Sequence, residues 1–408
     1  MADARRGNRA HALETRERRA GNFETEIELD AAQGAARVKT VRRELSMSAS
    51  AARLNAIRSQ IDELDRELLA GLNRRAQLAQ TIADIKEDSD AVGYYCPDRE
   101  VQVVRKLIAA NPGPLPDRDV ERLFREIMSA CRALQQPMRL AFLGPRGTFT
   151  EAAALRHFGH TVETVPLESI DAVFREVESG ACQYGVVPVE NSTEGVVTHT
   201  LDMFIRSRLA ICGEVELRIH HHLLAKGEDF AAIARVYTHQ QSLAQCRKWL
   251  DRNLPAARRI AVSSNAEGAR CAAQERDAAA VAGEAAAAIY GLEMLAANIE
   301  DEPDNTTRFL VIGEQSVPPT GIDKTSLLLS AHNRSGALYG LLAPFARLEI
   351  NMTRIESRPS RSARWEYVFF VDIEGHAQDP QVVKALDVLD QEGFLIKVIG
   401  SYPRAVAP

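Results

Sequence analysis

The chain has 408 residues, 45% of them hydrophobic and 26% charged, with a formal net charge of −6. That length suggests two or three domains, and with no dominant basic face the balance argues against a general nucleic-acid binder. No window approaches the roughly 18 continuous apolar residues of a membrane span, and six scattered cysteines without a C-x-x-C pair suit reduced thiols in a cytoplasm better than a zinc knuckle or a disulfide framework.

Residues 1–46 are rich in Arg, Glu and Ala and poor in large apolar residues, and read as a disordered extension. Their eight acidic residues argue against a transit peptide. Met47, just before the first strong helix, is a candidate start of translation. From Leu54 the residues Leu54, Ile57, Ile61, Leu64, Leu68 and Leu72 recur at steps of three and four, so one long helix carries a continuous apolar stripe. Shorter helices follow, from about Asp98 to Ala110 and from about Arg118 to Gln136, separated by the breaker Asn111-Pro112-Gly113-Pro114. Two short helices cannot cover so long a stripe, and an all-helical dimer is expected. Arg75 and Lys86 are eleven residues apart, about three turns or roughly 16 Å, and share a helix face. Two such cations suit a dicarboxylate; a solvated face paired with Asp62, Asp65 and Glu67 is the alternative.

The run Ile57-Arg58-Ser59-Gln60-Ile61-Asp62-Glu63-Leu64-Asp65, with Asn73-Arg74-Arg75, Lys86 and Arg99-Glu100 after Tyr94-Tyr95-Cys96-Pro97, resembles the helical chorismate mutase domain that begins bifunctional P-proteins. The resemblance covers residues 53–136 and implies that Arg58, Arg75, Lys86, Arg99, Glu100 and Gln135 occupy active-site positions, the counterpart of Arg58 coming from the partner subunit. Chorismate rearranges to prephenate by a pericyclic shift, so catalysis must hold the reactive conformer and stabilise charge on the ether oxygen. Lys86 and Gln135 would donate to that oxygen, while Arg58, Arg75 and Arg99 would hold carboxylates. Cys96 and Cys131 stand where some relatives carry polar or charged ligands.

At Arg139 short apolar strands begin to alternate with helices, an α/β pattern. Arg139–Leu143 reads as a strand, and Thr148-Phe149-Thr150-Glu151 as a capping box opening a helix that ends near Gly159. Gly185–Val189 precedes Glu190-Asn191-Ser192-Thr193-Glu194-Gly195, Val236-Tyr237 precedes Thr238-His239-Gln240-Gln241-Ser242, and Ile260–Val262 precedes Ser264-Asn265-Ala266-Glu267. Four such helix starts are expected on the carboxyl edge of one sheet, where unpaired N–H groups attract anions. No G-x-G-x-x-G turn is present, which disfavours a dinucleotide. Glu216–Leu224 reads as one strand, in which His220-His221-His222 point alternately and suit a structural use rather than a metal.

Leu143-Gly144-Pro145-Arg146-Gly147-Thr148-Phe149, Val186-Val187-Pro188-Val189-Glu190-Asn191-Ser192, Tyr237-Thr238-His239, Gln245-Cys246 and Asn305-Thr306-Thr307-Arg308-Phe309 resemble prephenate dehydratase over residues 139–313. The resemblance implies two α/β lobes around a cleft, similar to periplasmic binding proteins. Prephenate loses carbon dioxide and hydroxide as the ring becomes aromatic, so the protein needs to hold two carboxylates and help the hydroxyl leave. Thr307 is expected to donate to the departing hydroxyl and Arg308 to clamp a carboxylate. Asn191, Ser192, Thr148, Gln245 and Ser264 are expected as positioning groups, and Phe309 beside the substrate.

After Gln315-Ser316-Val317-Pro318-Pro319 the order is strand (Thr325–Ala331), helix (about Ser335–Arg347), strand (Asn351–Ile355), strand (Trp365–Ile373), helix (Asp379–Glu392), strand (Leu395–Ile399), that of a ferredoxin-like sandwich. Gly336-Ala337-Leu338 and Glu356-Ser357-Arg358 resemble the phenylalanine-binding motifs of an ACT domain. The expected fold class is multidomain, with an all-α dimeric mutase domain (47–136), a two-lobed α/β dehydratase domain (137–314), a linker (315–323) and an α+β ferredoxin-like ACT domain (324–408). The expected function is a cytoplasmic homodimeric enzyme that takes chorismate and prephenate, needs no cofactor or metal, binds no nucleic acid or membrane, and is inhibited by phenylalanine. An arogenate or cyclohexadienyl dehydratase and a non-catalytic amino-acid sensor are the alternatives.

Overall fold

The structure, a computed structural model, describes residues 51–86, 95–227, 229–331, 334–359 and 367–405. The amino-terminal extension, Met47 and the strand start expected at Trp365 lie outside them. The chain divides into two compact units, Met1–Arg75 and Ala76–Pro408. Residues 51–86 are helical (α1). In the first unit the six stripe residues from Leu54 to Leu72 are all exposed.

The second unit continues with α2 (Pro97–Ala109), whose first position is a proline that has no N–H to leave unpaired. It ends at a turn that Asn111 stabilises by bonding the Leu115 carbonyl and Asp117, and α3 (Asp117–Ala133) follows. The α/β region opens with β1 (Arg139–Leu143), α4 (Phe149–Phe158), β2 (Glu163–Leu167), α5 (Ile170–Glu178), β3 (Tyr184–Asn191), β4 (Gly195–Val196), α6 (Thr198–Arg206) and β5 (Ala210–Arg218). The Thr148 hydroxyl accepts from Glu151 N–H and caps α4, and Gly159, at φ +78°, ends it. Next come β6 (His222–Ala225), β7 (Arg235–His239), α7 (Gln240–Gln245), α8 (Arg247–Asn253), β8 (Arg258–Val262), α9 (Asn265–Ala272), β9 (Ala278–Ala282), α10 (Glu284–Tyr290), β10 (Glu293–Ala296) and β11 (Thr306–Gly313).

These strands form two sheets. The first runs β2-β1-β3-β11-β5 with β4 paired on β3, and the second runs β10-β6-β9-β7-β8. The expected strand Glu216–Leu224 is therefore two strands in different sheets: the chain leaves the first sheet after Arg218 and enters the second at His222. The four polar segments are likewise shared between two sheets, and the one after β3 turns into the short strand β4 rather than directly into a helix. Alternating β–α grammar gives strands and helices but not which sheet each strand joins.

The carboxy-terminal module contains β12 (Asp323–Ala331), α11 (Ala337–Arg347), β13 (Met352–Pro359), β14 (Tyr367–Glu374), α12 (Pro380–Gln391) and β15 (Leu395–Pro403). Its sheet order β13-β14-β12-β15, antiparallel throughout, is that of the expected sandwich. One face packs α11 and α12 through Leu341, Phe345, Val382 and Leu389. The other contributes Val368, Phe370, Ile399 and Tyr402 to the core that holds Ile211, Leu310 and Ile312 of the first sheet. The module is thus built into the α/β region rather than tethered to it. Among the described residues no helix is long and apolar enough to cross a membrane.

Candidate active site

Strands β3 and β11 are antiparallel neighbours, with Thr307 opposite Asn191 and Arg308 opposite Glu190. The Asn191 Nδ2 amide donates to Thr307 Oγ1 at 2.8 Å and to Asn305 Oδ1 at 2.7 Å. Its own Oδ1 accepts the backbone N–H groups of Thr193 and Glu194 at 3.0 and 2.9 Å, which fixes the amide's orientation. Thr307 Oγ1 is therefore an acceptor here, and its hydroxyl proton has no acceptor among the described residues. Ser192 Oγ accepts the Thr306 N–H at 3.0 Å and pins the same strand end.

The network continues across the cleft between the two sheets. Asn305, 3% exposed, donates through Nδ2 to Gln245 Oε1 at 3.1 Å. His221 Nε2 bonds the same oxygen at 2.8 Å, and burial holds the imidazole below its ordinary pKa. A neutral ring donating from Nε2 satisfies that geometry and leaves Gln245 Nε2 uncommitted. The chain Thr307–Asn191–Asn305–Gln245–His221 thus ties four segments distant in sequence. Asn305 and His221 were not expected as site residues; in a motif or a histidine run, nothing marks a buried amide or imidazole as part of a network.

A cavity of about 210 Å³ opens beside this network, lined by Thr193, Gln245, Arg247, Lys248 and Asn305, with Glu194, Asp301 and Glu302 also on its walls. Asp301 is committed to the Lys248 and Trp249 backbone N–H groups at the start of α8. Arg247 is exposed and has no ion pair among the described residues.

Several expected groups stand elsewhere. Arg308 is the clearest correction: strand alternation sends it to the face opposite Thr307. There Nε lies 2.7 Å from Glu214, Nη1 2.6 Å from Asp372, and Nη2 2.9 Å from the Tyr402 hydroxyl. Burial opposes its charge, but Tyr402, Asp372 and Glu214 hold the guanidinium protonated. With three partners on that face, it is not available as a carboxylate clamp in the cleft. Phe309 is 2% exposed and fills the core with Leu140, Phe158 and Val186, out of reach of a substrate. Thr148 and Ser264 act as helix caps, bonding Glu151 and Glu267 N–H, and neither bonds to the Thr307 network.

Of the expected mutase residues, Arg58 lies on the exposed helix of the first unit, and neither it nor Arg75 has an ion pair among the described residues. In the second unit Lys86 Nζ lies 3.6 Å from Cys96 Sγ, and Gln135 Nε2 donates to the Ala79 carbonyl at 2.6 Å. Arg99 is exposed. Glu100 pairs with buried Arg132, which also donates to the Phe158 carbonyl at the end of α4; this carboxylate braces α2 against the α/β region. In the carboxy-terminal module Gly336 caps α11 in the left-handed region at φ +79°, a conformation that favours glycine. Ala337 and Leu338 open that helix. Glu356 and Ser357 lie on β13, and Arg358, next along it, reaches Asp202 of α6 at 3.3 Å.

Comparison with known proteins finds three family models along the chain. Family models match over residues 57–136 (chorismate mutase type II), 140–317 (prephenate dehydratase) and 325–391 (ACT domain). The chain is 54% identical over 359 residues to a bifunctional chorismate mutase/prephenate dehydratase of Pseudomonas aeruginosa, covering 86% of this chain and 98% of that one. The values are the same for a protein of that description from Stutzerimonas stutzeri. Among solved structures, a prephenate dehydratase from Arthrobacter aurescens in complex with L-Phe is 36% identical at a TM-score of 0.60, covering 66% of this chain and 93% of that one.

Proposed function

The chain belongs to the bifunctional chorismate mutase/prephenate dehydratase family, and from that premise we propose which groups carry each step. It converts chorismate to prephenate and prephenate to phenylpyruvate. The observation that carries the dehydratase assignment is the Asn191–Thr307 hydrogen bond. By donating to Oγ1, Asn191 turns the threonine proton outward, toward a substrate hydroxyl. As the C–OH bond breaks with loss of carbon dioxide, that proton stabilises the departing oxygen, which leaves as water once protonated. A threonine is a weak acid, so a strengthening hydrogen bond does this work at lower cost than full proton transfer.

The carboxylate role expected of Arg308 passes to Arg247, the exposed cation on the cavity wall beside Asn305. Gln245 Nε2 supplies a neutral donor nearby. In the mutase domain, Lys86 and Gln135 serve the ether oxygen, and Arg58, Arg75 and Arg99 serve the carboxylates. There the protein forms a homodimer, so that Arg58 acts in the partner's site and the apolar stripe of α1 is covered. Phenylalanine is the effector, held at Gly336, Ala337 and Leu338 with the Glu356–Ser357 strand; a phenylalanine complex of a relative 36% identical supports this.

Reciprocal variants test the assignment. Thr307→Ala should lower dehydratase kcat on the order of 10²-fold with little change in KM while sparing the mutase. Lys86→Ala should do the opposite, lowering mutase turnover on the order of 10²-fold or more. Chorismate consumption and phenylpyruvate formation, followed separately, read both; normal dehydration in Thr307→Ala would end its assignment.

A further inference from the structure

The Thr307–Asn191 pair sits on a ladder whose next rung is charged. Arg308 stands opposite Glu190, and alternation turns both away from the cleft toward the ACT sheet. In that sheet Arg354 of β13 stands opposite Asp372 of β14. The two rungs meet: Arg308 bonds Asp372 at 2.6 Å, and Arg354 Nε lies 3.3 Å from Glu190. Each member of the cleft pair is therefore the covalent neighbour of a charge held by the ACT module. Glu214 and Lys324, paired at 2.8 Å, and the Tyr402 hydroxyl complete the seam on the Arg308 side.

The seam is nearly dry at Arg308, Asp372 and Arg354, whose side chains are 11%, 6% and 11% exposed, while Glu190, at 38%, reaches solvent. Burial alone would raise the Asp372 carboxyl, but Arg308, Ser326 and Arg354 hold it below the ordinary range. Buried charges of this kind contribute little net stability, and their best-attested use is to fix a register or a switch. The Nη2 of Arg354 and Nη1 of Arg358 are buried without a hydrogen-bond partner among the described residues, so the seam holds donors that a second arrangement could satisfy. Both arginines lie on β13, the edge strand that also carries Glu356 and Ser357.

We infer that the rung Glu190–Arg308, clasped by Arg354–Asp372, links the ACT module to the Asn191–Thr307 pair, whose resting geometry its own local hydrogen bonds set, and that the effector acts on dehydration by shifting β13 and with it this clasp. The inference rests on the phenylalanine reading above. A ligand bound against β13 moves Arg354 and Arg358 together, the first pulling on Glu190 and the second on Asp202 of α6. The β3–β11 ladder then carries the shift one residue along each strand to the threonine hydroxyl. Phenylalanine biases the equilibrium only by its unequal affinity for the two arrangements.

The test uses the full chain with Asp372→Asn and, separately, Arg354→Gln, which is less deeply placed and serves if the first variant does not fold. Dehydratase kcat without phenylalanine, inhibition at saturating phenylalanine, and phenylalanine binding by equilibrium dialysis are measured for each. Both variants should bind phenylalanine and keep kcat within roughly threefold of the parent, yet lose most of an inhibition that suppresses the parent roughly tenfold or more. A residue that only supported the fold would not separate binding from inhibition in this way. Variants that bind phenylalanine and are inhibited as fully as the parent would overturn the coupling, as would a parent that binds without being inhibited. A parent that binds no phenylalanine would instead overturn the effector reading, and this inference with it.

Discussion

A carboxylate entering the cavity beside Asn305 meets the exposed guanidinium of Arg247, which has no ion pair among the described residues. Arg247 can take it up without breaking an existing ion pair, whereas Arg308 would have to leave Glu214 and Asp372. Abandoning a buried pair costs several kcal/mol, and an exposed cation gives up only water. Replacing Arg247 by Gln should therefore raise the KM for prephenate about tenfold while kcat changes little, since one charge-assisted hydrogen bond contributes roughly 1.5–3 kcal/mol. Steady-state kinetics on prephenate checks this, and an unchanged KM would remove Arg247 from the site. The residue scale is also where sequence reading was weakest. Thr307 and Arg308 are adjacent in the motif but, on a strand, adjacency means opposite faces. Treating the motif as a unit gave both the same ligand, and only the position of the ACT sheet shows what Arg308 faces. Asn191, Ser192 and Gln245, expected from the resemblance, are brought by the structure to the strand end that carries Thr307. The burial of Phe309 was not legible, because its place in the motif carries no information about depth.

At the scale of elements, periodicity was the reliable signal. Steps of three and four identified α1, and all six stripe residues are exposed, from Leu72 at 41% to Leu68 at 64%. Covering the exposed half of each would contribute roughly 1 kcal/mol, which is what the homodimer proposed above would supply. Glutamates at Leu64 and Leu68 together place two charges on that stripe. The double variant should weaken self-association and lower mutase activity on the order of 10²-fold, because Arg58 no longer reaches a partner's site. Dehydratase turnover should change little. Light scattering coupled to gel filtration, beside both assays, checks it, and full mutase activity in a monomer would refute the shared-site reading. Strand existence was legible for β1, β3, β7 and β8 but not for β9, whose alanine run Ala278–Ala282 favours a helix by propensity, and strand partnership was not legible. The segment from Glu216 to Leu224 carries no Gly or Pro to break it and looks continuous, although the chain changes sheets at its centre.

At the scale of the whole molecule, three modules could be read from the change of pattern at Arg139 and the proline-rich stretch near Pro318. How the last of them docks could not, because sheet-on-sheet packing depends on facing surfaces that no periodicity encodes. Gly400 shows why. It lies in β15 against β5, where an added Cβ would stand 2.3 Å from the Ile211 carbonyl oxygen and 2.8 Å from its nitrogen. Both neighbours are backbone, so relief requires the strands themselves to move apart. Gly400→Ala should open the seam that holds Arg308 and Asp372 together. Overpacking of this kind costs roughly 1–3 kcal/mol, and the melting temperature should fall by about 2–4 °C for each kcal/mol. Phenylalanine inhibition should weaken in parallel, because the clasp on Glu190 and Arg308 loosens, while the mutase keeps its rate. Thermal unfolding and limited proteolysis of the 315–322 linker read the first effect, and dehydratase assays with phenylalanine the second. A variant that melts at the parental temperature and is inhibited as before would mean that the two sheets can separate at Gly400 without disturbing the seam, and that the strand bearing Thr307 is held by its own sheet alone.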